Sequence, residues 1–188
     1  MKHHHVVTGL LLGAMLFFSA MPVLAADKTP EELAKETEMA CEATAATKPT
    51  PKMIIDKVDQ GCALLQKEGK AGFSKFSGKD SPFVFAGTYI WIHNMAGVML
   101  MHPIMYKMDG KSVINYKDPN GKRFFNEMNK VAKAKGAGWV DYMWPKPGEK
   151  EPSQKVSYVK LCHVDGEDLV LGCGVYGMSK EDIQKLVK

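Results

Sequence analysis

The fold class the sequence predicts is α+β, an antiparallel sheet with helices packed on one face. Three observations carry this. Segments of β-type alternation follow one another through short turns, the arrangement that pairs neighbouring strands antiparallel. Segments of helical period stand mostly before those strands instead of alternating with them one for one. No internal repeat or low-complexity block interrupts the chain, and roughly 160 of its 188 residues remain after an N-terminal leader, enough for one domain with its own core.

The leader comes first. Residues 1–26 have a basic start at Lys2, an apolar run from Val6 to about Phe18, and the small-residue end Val23-Leu24-Ala25-Ala26, the three-part layout of an export signal. The apolar core is short against the roughly 20 residues of a membrane span. Cleavage after Ala25 or Ala26 is expected, with retention as a single anchor as the other outcome, and the rest is expected to be periplasmic and soluble. His3, His4 and His5 belong to the basic start and imply no metal.

Thr29-Pro30-Glu31-Glu32 then opens a helix, with Thr as cap, Pro in the first turn and acids at the positive end of the dipole. It should end near Ala43, before the Pro-containing link 47–51. A second helix runs from about Pro51 to Glu68, with Ile54, Ile55, Val58, Cys62 and Leu65 on one face. Ala71 to Phe76 is spaced for one more helical turn, and Phe83 to Phe85 is a short apolar run. Thr88–His93 reads as a strand, Asn94–Gly97 as its turn and Val98–His102 as the return. Asp118-Pro119-Asn120-Gly121 is a turn. Arg123 to about Ala134 is a helix with Phe124, Met128 and Val131 on one face. Gly138–Trp144 is a strand, Lys155–Val164 and Leu169–Tyr176 form a hairpin around Asp165-Gly166-Glu167, and Ser179 opens a short final helix.

Composition excludes several classes. The formal charge of +4 is spread over dispersed lysines, too weak a pattern for nucleic acid. There is no nucleophile elbow, phosphate-binding loop or dinucleotide glycine pattern. Cys162 and His163 are adjacent on a strand and point to opposite faces, so they form no nucleophile–base pair. The chain is read as neither an enzyme nor a cofactor carrier. His93, His102 and His163 are too scattered for a metal site. Cys41, Cys62, Cys162 and Cys173 lack metal spacing, and an even count in an exported chain favours disulfides. Sequence proximity favours Cys41–Cys62 and Cys162–Cys173, with three connectivities formally open.

Alternation puts Tyr89, Trp91 and His93 on one strand face and Ile90 and Ile92 on the other. The aromatic face either walls a pocket or simply caps the sheet. His102-Pro103 closes the hairpin. Tyr142 and Trp144 share a face, a phenol to donate and an indole to close the apolar side. Lys160, with Tyr158 on the same face, would supply the charge an anion needs, against the alternative of a solvated strand lysine.

Five motifs in order carry a family likeness: Tyr89-x-Trp91 with His102-Pro103; Lys117 to Lys122; Gly138-Trp139-Val140-Asp141-Tyr142-x-Trp144-Pro145; Ser157-Tyr158-Val159-Lys160; and Gly172-x-Gly174-Val175-Tyr176. Over roughly Pro51 to Gly177 the chain resembles a single Cache domain of the second type, the sensing module of chemotaxis receptors and histidine kinases, also found as free periplasmic proteins. The resemblance implies a PAS-like central antiparallel sheet of about five strands with a long N-terminal helix on one face. On the other face it implies a pocket for a small organic anion such as a short carboxylate, at Tyr89, Trp91, His102, Tyr142, Trp144, Tyr158 and Lys160. The layout expected is leader 1–26, helical extension 27–50, Cache-type domain 51–177 and terminal helix 178–188. Signalling would then require a membrane receptor, kinase or transporter as partner. The rival reading is an interaction module that docks on such a partner and keeps only a vestigial pocket.

Overall fold

The computed structural model describes residues 28–187, so the expected leader and His3, His4 and His5 lie outside the described residues. Among the described residues no helix is long and apolar enough to cross a membrane.

Helix α1, Pro30–Thr44, begins at a capping box in which Thr29 and Glu32 satisfy each other's backbone N–H. Helix α2, Pro51–Glu68, is capped by Thr50, which accepts from the Met53 amide, and stops at Gly69 with φ 65°, a left-handed value that suits glycine. A 3-10 segment, Gly69–Phe76, follows. The strands are β1 Val84–Phe85, β2 Thr88–Asn94, β3 Met99–Met101, β4 Ala137–Pro145, β5 Pro152–Val164 and β6 Glu167–Tyr176; α3, Phe124–Lys135, precedes β4, and α4, Lys180–Leu186, closes the chain behind its Ser179 cap. The sheet runs β1-β2-β6-β5-β4, with β3 paired to β2, and the pairing is antiparallel throughout.

The β5–β6 turn differs from expectation in one respect. Its loop is the two residues Asp165 and Gly166, at φ 51° and 77°, because Val164 already pairs with Glu167. Two consecutive positive φ values make the hairpin turn whose twist matches the strands. The shorter loop moves the register by one, and Lys155 falls opposite Tyr176.

Each sheet face has its own core. Ile54, Val58, Cys62 and Leu65 of α2 pack on Ile90, Ile92, Val156, Leu169, Leu171 and Val175. The other face gathers Tyr89, Trp91, Val140, Tyr142, Trp144, Val159 and Val170 with Phe124, Phe125, Met128 and Ala132 of α3. The expectation of helices on one face is therefore corrected: α3 lies opposite α2. Two contacts seat it there. The Phe124 ring stacks on Tyr142 with centroids 4.4 Å apart, and Val131 approaches within 2.6 Å of where a Cβ at Gly138 would stand, so only a bare glycine admits the helix so closely.

The expected disulfide bonding is present, but the favoured pairings, and the expectation that all four cysteines bond, are corrected. Cys62 of α2 bonds Cys162 of β5, Cα atoms 5.8 Å apart, while Cys41 and Cys173 are buried free thiols. The register explains this. Cys162 pairs with Leu169 and Cys173 with Tyr158, so the two cysteines sit four positions apart along the hairpin, about 13 Å, beyond bridging distance. Cys41 packs in the α3-side core while Cys62 packs in the α2-side core.

Candidate functional site

The α3 side of the sheet brings Tyr89 and Trp91 of β2, Tyr142 and Trp144 of β4, and His102 from just after β3 into one cluster. The Trp144 indole N–H donates to the Tyr89 hydroxyl at 3.1 Å. Tyr142 and Ser157 share a hydroxyl hydrogen bond at 3.0 Å. The His102 ring stands 5.1 Å from Tyr89 and 6.0 Å from Trp144 between centroids. Its Nδ1 accepts from the Met105 amide at 2.8 Å and the Ile104 amide at 3.3 Å, which leaves the proton on Nε2.

The cation in this cluster is one that pattern reading passes over. Lys155, near the start of β5, is fully buried. Its Nζ lies 4.4 Å from the Tyr89 ring centroid, 5.3 Å from Trp91 and 4.8 Å from Tyr176. Cation–π attraction favours a charge among three rings, yet Nζ has no hydrogen-bond partner among the described residues, and neither does the buried Trp91 indole N–H. Burial pulls the Lys155 pKa down to about 8. Two glycines make the room. A Cβ at Gly172 would collide with the Trp91 ring, and one at Gly174 would stand 2.7 Å from Lys155 Cε and strike the Ser157 hydroxyl.

Lys160 and Tyr158 are not in this cluster. Side chains alternate along β5, so Lys155, Ser157, Val159 and Leu161 face α3 and Tyr158 and Lys160 face α2. Lys160 is bound to Asp59 of α2 at 2.7 Å, and Tyr158 packs against Trp139, centroids 5.3 Å apart, beside the α2-side core. Five of the seven expected pocket residues are therefore brought together, and two are placed on the opposite face. The signal that could have found Lys155 is the hairpin register: counted back from a two-residue turn, Lys155 meets Tyr176 on one side and Tyr142 on the other.

His93 shares this face but serves as a tie between β2 and α3. Its Nε2 meets Asn129 Oδ1 at 3.0 Å, and its ring sits edge-on to Phe125. Burial lowers His93 to about 4, and burial together with the Lys155 charge lowers His102 to about 3, from 6.5. The stability each contributes as a neutral ring is complete above pH 6.5 and is lost as pH falls toward those values. By pH 5 the loss is about 2 kcal/mol per ring. Asp109, whose carboxylate accepts from the His102 amide, is raised by burial to about 6; it stabilises on acidification and offsets part of the loss. The urea midpoint should fall between pH 7 and pH 5, and fall further in D109N. An unchanged midpoint in both proteins would contradict the buried, neutral state of the rings.

An antiparallel sheet with helix α2 packed along one face is a fold of PAS-like type. The chain belongs to the Cache domain family, whose model matches residues 79–187. Over 88 residues it is 42% identical to the methyl-accepting chemotaxis protein McpP of Pseudomonas putida and 31% identical to the sensor histidine kinase MctS of Rhizobium johnstonii. Each match covers 47% of this chain but only 16% and 18% of the relative, so the chain spans less than a fifth of the length of these curated relatives. Among solved structures it is similar to a periplasmic sensor domain of a chemotaxis protein, at 28% identity and TM-score 0.51 over 79% of this chain and 96% of that one. It is similar also to a Cache chemosensory domain described for carboxylic acid recognition, at 30% identity and TM-score 0.54 over 77% and 93%.

Proposed function

We propose that this chain is an exported sensory module that holds a short carboxylate in the cage, Lys155 supplying the counter-charge. One observation carries the reading: a fully buried ammonium, without a hydrogen-bond partner among the described residues, stands among three aromatic rings. An isolated buried charge is costly, and pairing with an opposite charge removes much of that cost. The Trp91 indole N–H and the His102 Nε2–H are further donors for carboxylate oxygens, and the rings bound the apolar end of the ligand. Similarity to a chemosensory domain that recognises carboxylic acids supports the ligand class, and the leader-like N-terminus supports export. Occupancy would be passed to a membrane receptor, kinase or transporter.

Calorimetric titration with acetate and propionate tests this. Binding requires protonated Lys155, so the affinity should be level below pH 8, the value burial imposes on the free protein. Above it the affinity should fall about tenfold per pH unit. No heat of binding from either acid at millimolar concentration, or an affinity that rises above pH 8, would reject the reading.

A further inference from the structure

A cleft of about 400 Å³ lies behind the cage, lined among others by Lys48, Ala86, Lys146, Glu149, Gly174 and Tyr176. Two of these also touch the Lys155 side chain. The Tyr176 ring is 4.8 Å from Nζ, and the absent Cβ of Gly174 would lie 2.7 Å from Lys155 Cε. One residue layer therefore separates the cleft from the buried cation. The Tyr176 hydroxyl donates to the Pro145 carbonyl at 2.8 Å, which ties its ring to the β4–β5 turn that carries Lys146 and Glu149. The charge of the cleft is cationic on balance: Glu149 pairs with Lys146 at 3.1 Å, and Lys48 adds a second ammonium. The other approach is less suited to an anion. A hollow of about 120 Å³ beside His102 is lined by the Asp109 carboxylate and by Lys28, and because Lys28 also faces Glu36 at 2.6 Å the hollow, unlike the cleft, has no cation in excess.

We propose that the cleft is a vestibule for small anions on their way to Lys155, with Lys48 and Lys146 gathering the anion and the Tyr176 ring as the wall that moves aside. The proposal rests on Lys155 as the counter-charge of the bound anion. It adds a second subsite, selective by charge, and it places the point of access at the end of β6.

Acetylation of Lys155 in the full chain reads this route without any bound ligand. Methyl acetyl phosphate is a small anion that transfers its acetyl group to a free amine and releases methyl phosphate; the N-hydroxysuccinimide ester of acetate is its neutral counterpart. Labelling at Lys155 is followed by peptide mass spectrometry and normalised to exposed Lys185. The double variant K48A/K146A should slow the anionic reagent at Lys155 by about tenfold and leave the neutral ester unchanged. Y176F, which removes the tether to Pro145, should accelerate both. S77W, which fills the hollow beside His102, should change neither. Equal anionic labelling in wild type and K48A/K146A overturns the vestibule, as does slowing by S77W or a wild-type Lys155 that neither reagent reaches. Intact labelling in a protein that binds no carboxylate overturns the ligand reading instead, so the two failures are distinguishable.

Discussion

Replacing Lys155 by Met should weaken carboxylate binding by about thirtyfold or more while making the free protein more stable. Removing one partner of a buried, hydrogen-bonded charge pair costs about 2–5 kcal/mol of binding. The same change relieves the free protein of a charge whose pKa burial has depressed from 10.5 to about 8. Even buried ion pairs are often replaced by apolar groups of similar volume at no cost or with a gain of about 1–4 kcal/mol, and Met follows the lysine stem through the space beside Gly174. The pH dependence has a defined sign. The depressed base makes the folded state bind fewer protons than the unfolded one, so wild-type stability should rise with pH from 8. Above pH 9 Cys41 and Cys173, which burial raises to about 12 and about 11, act in the opposite sense, and above pH 10 the buried tyrosines join them. The clean window is pH 8 to 9: wild type should gain stability across it and K155M should not. Denaturant melts of both proteins at pH 7, 8 and 9, with a propionate titration, measure this. A less stable K155M that binds propionate as well as wild type would remove the cage from consideration.

Opening the Cys62–Cys162 disulfide should have the largest effect on stability. The bond closes a sequence separation of 100 residues, and the chain-entropy model assigns about 4.7 kcal/mol to a loop of that size. For a domain of this length the loss corresponds to roughly 10–15 °C in Tm. C62A/C162A, melted beside wild type with and without reductant, should reproduce the shift, and reductant should do nothing further to the variant. Denatured but unreduced wild type should alkylate at two thiols, Cys41 and Cys173. Four alkylated thiols, or none, would contradict the pairing.

Much of the fold was legible because its signals are local. Thr29, Thr50 and Ser179 cap their helices through contacts within three residues, and the apolar face of α2 repeats at helical spacing. The aromatic wall was legible for a similar reason: Tyr89 and Trp91, like Tyr142 and Trp144, are two residues apart on strands. What stayed hidden depends on register and on which face a distant element covers. Lys155 and Lys160 are five residues apart on one strand, hence on opposite faces, and nothing in their immediate sequence says which face meets α2. The apolar neighbours of Lys160, Val159 and Leu161, turned out to be the residues that pack toward α3. Cysteine pairing was misread because proximity along the chain was weighed where proximity across the α2–sheet interface decides. The position of α3 rests on a missing side chain at Gly138 and a ring stack at Phe124, neither of which has a periodicity.

The cross-link between α2 and β5 also sets how that helix can move. With the Cα atoms of Cys62 and Cys162 held 5.8 Å apart, α2 cannot slide along the sheet and is left with tilting about a fixed pivot. Strand β6 presents Gly172, Gly174 and Tyr176 to the cage and Leu171 and Val175 to α2, so any displacement forced by an occupied cage reaches the helix one residue further along. The pivot is off-centre. Pro51 stands about 16 Å from it along the helix axis and Glu68 about 9 Å, which makes α2 a lever with its longer arm toward Pro51. A distance probe at Lys52 should therefore move about 1.7 times as far as one at Glu68, and in the opposite direction.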